Sequence, residues 1–323
     1  MLGVSCYNFF NLLSNTLPCY TLYMSNHFST VKKEDYDKHP LLARLLELHD
    51  IPEQIYIIGE LPEITIDEYG RSMPRILTVV GSRKYTQYGK HAVEKLLSTL
   101  PKNDVIILSG LALGIDGIAH RSALDNKIKT IAIPGSGLDK KVIYPSTHIQ
   151  LAEEIVTSGG ALVSELSPTT KAAKWTFPAR NRIMAALSDA VLIIEAEEKS
   201  GTLITGRQAL ELGRDIGAVP GELFSPTSVG TNALIHDGAY LIANENDLYE
   251  LLHLSKKESG GKISEEIYTE EEQNIMNILR EPIEKDTLLI KSNLSLEKFL
   301  TTLSSLEIKG KIQETFGEVR RIV

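Results

Sequence analysis

The sequence predicts an α/β fold, a doubly wound and mostly parallel sheet followed by a small separate C-terminal module, and three observations predict it. From Arg75 to Ile242, short β-branched runs alternate with Gly-containing turns and amphipathic stretches, which is the pattern of parallel βα units. Residues 254–267, rich in Lys, Glu, Ser and Gly and poor in apolar side chains, read as a linker. At 323 residues the chain is long enough for one sizeable α/β domain and at least one small one.

Taken in order, residues 1–31 hold no Lys or Arg and only broken apolar runs such as Tyr7 to Leu13. These are too short to span a bilayer and lack the basic start of a signal peptide, so the segment reads as a disordered leader, with Met24 as an alternative start. Residues 32–74 form a short N-terminal extension: an apolar pattern from Leu41 to Leu48, then a strand candidate from Gln54 to Ile58 closed by Gly59 and Pro62. It is too small to fold alone. The main domain, residues 75–253, carries strand candidates at Ile76 to Val80, Val105 to Leu108, Thr130 to Ile133, Ala161 to Ser164, Ala190 to Ile194, Ile216 to Val219 and Tyr240 to Ile242. Between the first two lies a helix candidate, Thr86 to Leu100, with Ala92, Val93, Leu96, Leu97 and Leu100 on one face. Right-handed crossovers put the loops that follow the strands along one carboxyl edge, where ligands bind in such sheets. Residues 268–323 show three short helical patterns and then a possible two-strand wing from Lys311 to Ile322, a winged-helix-like arrangement.

Composition narrows the function. A net charge of −8 confines any nucleic-acid site to a local basic patch on an acidic body. Only Cys6 and Cys19 occur, which excludes a Cys-based zinc framework in the main body and fits a reducing, cytoplasmic setting. The histidines are scattered, and His120, His148 and His236 have no ligand spacing, so no metal is expected. No cofactor is expected either: Gly81 is followed next by Gly89, unlike the G-x-G-x-x-G dinucleotide fingerprint, and no Gly-Lys-Ser or Gly-Lys-Thr of a P-loop occurs.

Three loops on the carboxyl edge are dense in small residues. Gly81-Ser82-Arg83 combines a tight turn, hydrogen-bond donors and a bidentate phosphate ligand. Ser109 to Asp116 and Pro134 to Asp139, the latter followed by Tyr144-Pro145, are equally plain turns when each is read alone. The most informative stretch is Lys171 to Arg182, with Lys171, Lys174, Arg180 and Arg182, no acid, and Trp175 and Phe177 interleaved. Cations that hold phosphates beside rings that stack on unpaired bases are what single-strand binding requires, and the other reading of the same rings is a packed core.

Gly81-Ser82-Arg83, SGLALGID-x-x-AH, PGSGLD with Tyr144-Pro145, Ser164-Glu165, FPARNR at Phe177 to Arg182, Ser188-Asp189, Glu195-Ala196, Ser200 to Leu203 and Pro220-Gly221, in that order, resemble the DprA/Smf family. The resemblance implies a Rossmann-like domain that binds single-stranded DNA in a positively charged pocket, forms homodimers and hands DNA to the RecA recombinase in natural transformation. Carried over by motif, the pocket comprises Ser82, Arg83, Gly110, Gly135, Gly137, Lys174, Phe177, Arg180, Asn181 and Arg182, closed by the backbone amides of Ser200, Gly201 and Thr202. Arg83 and Lys174 lead that set, and a sheet-edge element near Gly213 to His236 is the dimer candidate. Two departures stand out: only the short extension replaces the longer helical domain that many members carry before the Rossmann part, and from Ser264 onward eight Lys or Arg face twelve Asp or Glu, a poor balance for gripping duplex phosphates.

The rival is an enzyme. The segment Arg180 to Met184 reads R-x-x-x-M, and Gly201-Thr202 matches a later G-T, as in phosphoribohydrolases of the lysine-decarboxylase-like type. The position that should carry the acid-base Glu is Thr205, which cannot supply a carboxylate, leaving Asp116, Glu165 and Glu195 as substitutes with equally good structural roles. A third reading is a sensor of one free mononucleotide, against which Trp175 and Phe177 favour a polymer.

Overall fold

The computed structural model describes residues 28–255, 268–279, 281–315 and 317–321, in two compact units divided after Ser255. Met24 and nearly all of the expected leader and linker lie outside the described residues. Where the described chain begins, the leader reading gives way to a strand.

The larger unit opens with β1 (Ser29–Lys32), a short 3-10 turn, α1 (Pro40–Ala43) and β2 (Gln54–Gly59), followed by a small ladder of β3 (Thr65–Ile66) and β4 (Ser72–Met73). The βα series then runs β5 (Arg75–Val80), α2 (Gln87–Ser98), β6 (Val105–Ser109), α3 (Ile115–Asp125), β7 (Thr130–Ala132), α4 (Ile149–Thr157), β8 (Ala161–Ser164), α5 (Thr176–Leu187) and β9 (Ala190–Ile193). It ends with α6 (Gly201–Glu211), β10 (Asp215–Ala218), α7 (Val229–His236), β11 (Tyr240–Leu241) and α8 (Glu245–Leu251). All seven expected strands are present, each within a residue or two of its expected ends.

One nine-stranded sheet has the order β1-β2-β8-β7-β6-β5-β9-β10-β11. The strands from β5 to β11 are mutually parallel, as expected, and β1 and β2 add an antiparallel pair beyond β8. The extension is therefore part of the main sheet. Gly59 makes this join possible: at φ 91° it lies against the Gly160 carbonyl, and any Cβ there would collide with backbone.

Strand alternation sets the layers. Ile76 and Val80 of β5 pack toward Ile183 to Leu187 of α5 and Leu41, Leu42 and Leu45 of the extension. Leu77 and Val79, on the opposite face, pack with Val93 and Leu97 of α2 and Ala119 of α3. Burial on both faces is why β5 reads as a nearly unbroken apolar run. Helix α2 starts at Thr86, whose side chain accepts the Gly89 N–H, and buries Val93, Leu96 and Leu97 at helical spacing.

A buried carboxylate adds a polar tie between the extension and this core. Asp189 Oδ1 accepts from Arg44 Nη2 at 2.7 Å and from the Ser72 N–H at 2.9 Å, and Oδ2 accepts from the Ile76 N–H at 2.7 Å and from the Ser72 hydroxyl. Arg44 and Asp189 are only 5% and 8% exposed at their side chains, so each relies on the other, and Arg44 also on the carbonyls of Leu187 and Gly70.

The smaller unit contains α9 (Glu270–Ile278), β12 (Ile283–Glu284), α10 (Lys285–Ser292), α11 (Leu296–Ile308), β13 (Ile312–Thr315) and β14 (Glu318–Arg321), with an antiparallel sheet ordered β12-β14-β13. Ile275, Met276, Leu279, Leu288, Phe299, Leu303, Leu306, Ile312 and Val319 form its core. The cap of α9 is charged and buried: Lys309 Nζ donates to both oxygens of Glu272 at 2.7 and 2.8 Å, and the Ser305 hydroxyl donates at 2.7 Å. These donors hold the Glu272 carboxyl down at about 2, against the opposing effect of burial. Because the folded value lies below the ordinary 4.5, the stabilisation is complete above about pH 4.5 and is lost as pH falls toward about 2. Acid titration of the full chain, followed by NMR at Lys309 and Ser305, should show this loss in wild type, and Glu272→Gln should remove the pH dependence over that window. An unchanged titration in the variant would sink the assignment.

Candidate functional site

Strands β5 to β8 step outward on one side of β5, and β9 to β11 continue on the other. The chain crosses over between β8 and β9, so the turns after β5 and β9 leave the carboxyl edge in diverging directions. A cleft of about 340 Å³ opens at that switch point, lined by the turn after β5 (Gly81 to Lys84), the start of α3, α5, and the turn into α6.

The turns interlock through backbone groups. The Ser82 carbonyl accepts the Ile115 N–H at 3.2 Å, and Thr202 Oγ1 donates to the Gly81 carbonyl at 3.2 Å. Glu195, buried just after β9, accepts from the Thr86 N–H at 3.0 Å and the Thr86 hydroxyl at 2.5 Å, which closes the loop bearing Arg83. Opposite, Ser200 caps α6 by accepting the Thr202 N–H at 3.2 Å, and the positive end of that eleven-residue helix faces the cleft.

The floor is an ion pair bound into the scaffold. Arg180 Nη1 donates to the carbonyls of Gly110 at 2.5 Å and Ile133 at 2.8 Å, Nε donates to Asn181 Oδ1 at 2.9 Å, and Asp116 Oδ2 lies 4.0 Å away. Burial pushes the Asp116 carboxyl above the usual carboxylate range, opposed by the Arg180 guanidinium and by the N–H groups of Ala112 and Gly110. Arg180 thus braces the loops after β6 and β7 against α5. Gly110 is required at this brace, because a Cβ there would fall on the guanidinium.

The rim is aromatic and cationic. The Arg83 guanidinium lies over the Phe177 ring, 4.6 Å from its centroid, and Tyr144 meets the same ring edge-on with centroids 6.1 Å apart. The ring's fit against the backbone depends on Gly135, where a Cβ would stand 2.6 Å from Phe177 carbons. Arg83, Lys84 and Lys174 are exposed, and Trp175 is 62% exposed rather than packed in a core.

The expected site residues therefore separate into groups. Ser82, Arg83, Phe177, Arg180, Asn181, Ser200, Gly201 and Thr202 all line the cleft. Gly110, Gly135 and Gly137 lie behind the lining and admit their neighbours: Arg180, Phe177 and the carbonyls of Ser167 and Pro168. Lys174 stands on the exposed approach to α5, outside the lining. Two expected phosphate ligands are corrected by their partners. Arg180 has its Nη1 and Nε donors committed to protein acceptors, and Arg182 turns away from the cleft to Glu165 and to the Asp50 carbonyl at 2.6 Å. Lys84, Met184 and Thr205 line the cleft without having been singled out as ligands. Lys84, next to Arg83 in a turn of known direction, was the readable one.

The model of the family DNA recombination-mediator protein A matches residues 27–253. DNA processing protein DprA of Bacillus subtilis is 39% identical over 208 residues, 64% of this chain and 67% of that protein. Protein Smf of Escherichia coli is 33% identical over 287 residues, 86% of this chain and 74% of that protein. Among solved structures, DNA processing protein A from Streptococcus pneumoniae is similar with a TM-score of 0.60 and 37% identity, over 69% of this chain and 74% of that one. DNA processing protein A from Helicobacter pylori, whose structure concerns its single-stranded DNA binding mode, gives a TM-score of 0.57 and 31% identity over 70% and 96% of the two chains.

Proposed function

Since this chain belongs to the DNA recombination-mediator protein A family, we propose that it binds single-stranded DNA across the switch-point cleft and acts without catalysing a reaction of its own. The observation that carries this is the stack of Arg83 on Phe177 at the rim, which places a phosphate ligand and an aromatic platform side by side. Arg83, Lys84 and Lys174 supply the exposed charge, and the positive end of α6 faces them across the cleft, where the Ser200 and Thr202 amides expected as donors are instead bonded to the Glu197 carbonyl and the Ser200 hydroxyl. Bases must be splayed to reach an aromatic face, so a single strand is preferred over duplex, with little dependence on sequence.

The enzymatic reading loses the Glu at its motif position, although Glu197 places a carboxylate in the cleft lining. Arg180 and Met184 both line the cleft, but the position of the required Glu is Thr205. The three possible substitutes are engaged: Asp116 with Arg180 and backbone amides, Glu195 with Thr86, and Glu165 with Arg182. In the same proposal, residues 75–253 form the Rossmann-like DNA-binding domain, a homodimer sets two clefts in tandem, and the protein loads the RecA recombinase onto incoming strands in the cytoplasm. Among the described residues no helix is long and apolar enough to cross a membrane. The order of helices and strands from α9 to β14 supports a winged helix, whose acidic balance suits a protein partner better than duplex DNA.

The test is an anisotropy titration of a labelled single-stranded oligonucleotide, with the matching duplex as competitor, for wild type and the Lys174→Ala/Arg83→Ala double variant at two salt concentrations. Wild type should prefer the single strand, weaken steeply with salt, and lose binding in the variant. Absence of binding at low salt would overturn the reading and direct the search to free nucleotides.

A further inference from the structure

The stack that carries the proposed function also raises a difficulty. One part of the Phe177 ring is pressed toward the backbone at Gly135 and a face is covered by the Arg83 guanidinium, so the ring is only partly open to an incoming base. Tyr144, at the edge of the same ring, is 47% exposed.

Its setting is that of a presented side chain and not of an unpacked leftover. Ile143 and Pro145 on either side are buried, so the backbone is anchored on both flanks of the exposed ring. The Ile143 N–H is bonded to the Asp139 carbonyl and the His148 N–H to the Pro145 carbonyl. The loop is pinned further back, where the Gly137 N–H donates to the Thr170 carbonyl at 2.8 Å, the Asp139 N–H to the Pro168 carbonyl at 2.9 Å, and Thr176 Oγ1 to the Gly135 carbonyl at 2.6 Å. An exposed aromatic held in place before binding loses little freedom when a ligand covers it. Lys141, three residues earlier in the same loop, is exposed and adds positive charge to that side.

We propose that Tyr144 is a base-stacking residue of the single-strand site, receiving the base adjacent to the nucleotide whose phosphate Arg83 holds. The proposal rests on the single-strand reading above. Arg83, Phe177 and Tyr144 then form one continuous platform drawn from three separate segments: the turn after β5, the start of α5 and the loop between β7 and α4. Trp175, the residue just before α5, is exposed and makes no ring contact with Phe177 or Tyr144 among the described residues.

The experiment compares a base-bearing oligothymidylate with an abasic oligonucleotide of equal length, for wild type, Tyr144→Ala, Tyr144→Leu and Tyr144→Phe in the full chain. Tyr144→Leu keeps an apolar contact with the edge of Phe177 but has no ring, and so guards against loss through loosened packing. The alanine and leucine variants should bind oligothymidylate about 5- to 150-fold more weakly, the range expected for one stacked base. Both should bind the abasic strand as wild type does, and Tyr144→Phe should match wild type on both ligands. Wild-type affinity in the alanine and leucine variants, or an equal loss on the base-bearing and abasic strands, overturns the assignment. If wild type binds neither strand, the single-strand reading itself fails and the assignment falls with it.

Discussion

Arg83→Ala is expected to weaken single-strand binding by roughly 10- to 150-fold, the loss that corresponds to one charge-assisted contact of about 1.5–3 kcal/mol. Two consequences separate this from general damage. Removing one phosphate contact lowers the slope of log affinity against log salt by about 0.7 for a single strand. Arg83→Lys keeps the charge, and so should keep the slope, yet it cannot lie flat over Phe177 with two parallel donors and should recover only part of the affinity. The measurement is a salt series of anisotropy titrations on all three proteins. A full recovery by lysine would mean that the stack on Phe177 contributes nothing to binding. Only a small change in the thermal midpoint of Arg83→Ala is expected, since the residue is exposed, although its charge also acts on Asp116 and Arg180.

Asp189→Ala should produce the largest loss of stability, about 3–5 kcal/mol, the cost of leaving one partner of a buried ion pair uncompensated. Here the Arg44 guanidinium would remain, 5% exposed, together with the orphaned N–H groups of Ser72 and Ile76. Urea unfolding of the full chain should show the unfolding free energy falling by that amount, read as the midpoint shift multiplied by m. Replacing both partners by apolar residues, Arg44→Met with Asp189→Leu, should restore part of the loss by removing the stranded charge, though Ser72 and Ile76 still lose their acceptor. A single variant as stable as wild type would refute the role of Asp189 as a polar tie to the extension.

The parallel strands β5 to β9 were legible because burial on both faces leaves near-continuous apolar runs, punctuated by glycine turns, and both signals are local; β11 is short and exposed. The pairing of β2 with β8 was not legible, since Gln54 to Ile58 announces a strand but nothing nearby announces its partner about a hundred residues on. The same holds for Asp189, which the sequence offered only as part of a motif and which the fold uses to tie Arg44, Ser72 and Ile76 together. In the site, the error over Arg182 was avoidable. Two residues on a helix lie about 200° apart, so Arg180 and Arg182 could not both face one cleft once the segment is read as helix. Phe177, Arg180, Asn181 and Met184, at offsets of three, four and seven, form a single face, and those four line the cleft while Arg182 turns to Glu165. What no pattern could show is that the Nη1 and Nε donors of Arg180 are already committed to protein acceptors.

The antiparallel pair at one end of the sheet bears on how copies of this protein can meet. The wide ladder ends on one side in β1, four residues long, and on the other in β11, two residues long. Long open margins invite another chain to zip onto them, and short ones do not. Among the described residues, neither margin is long enough to be a strong template for growth of the sheet into a neighbouring molecule.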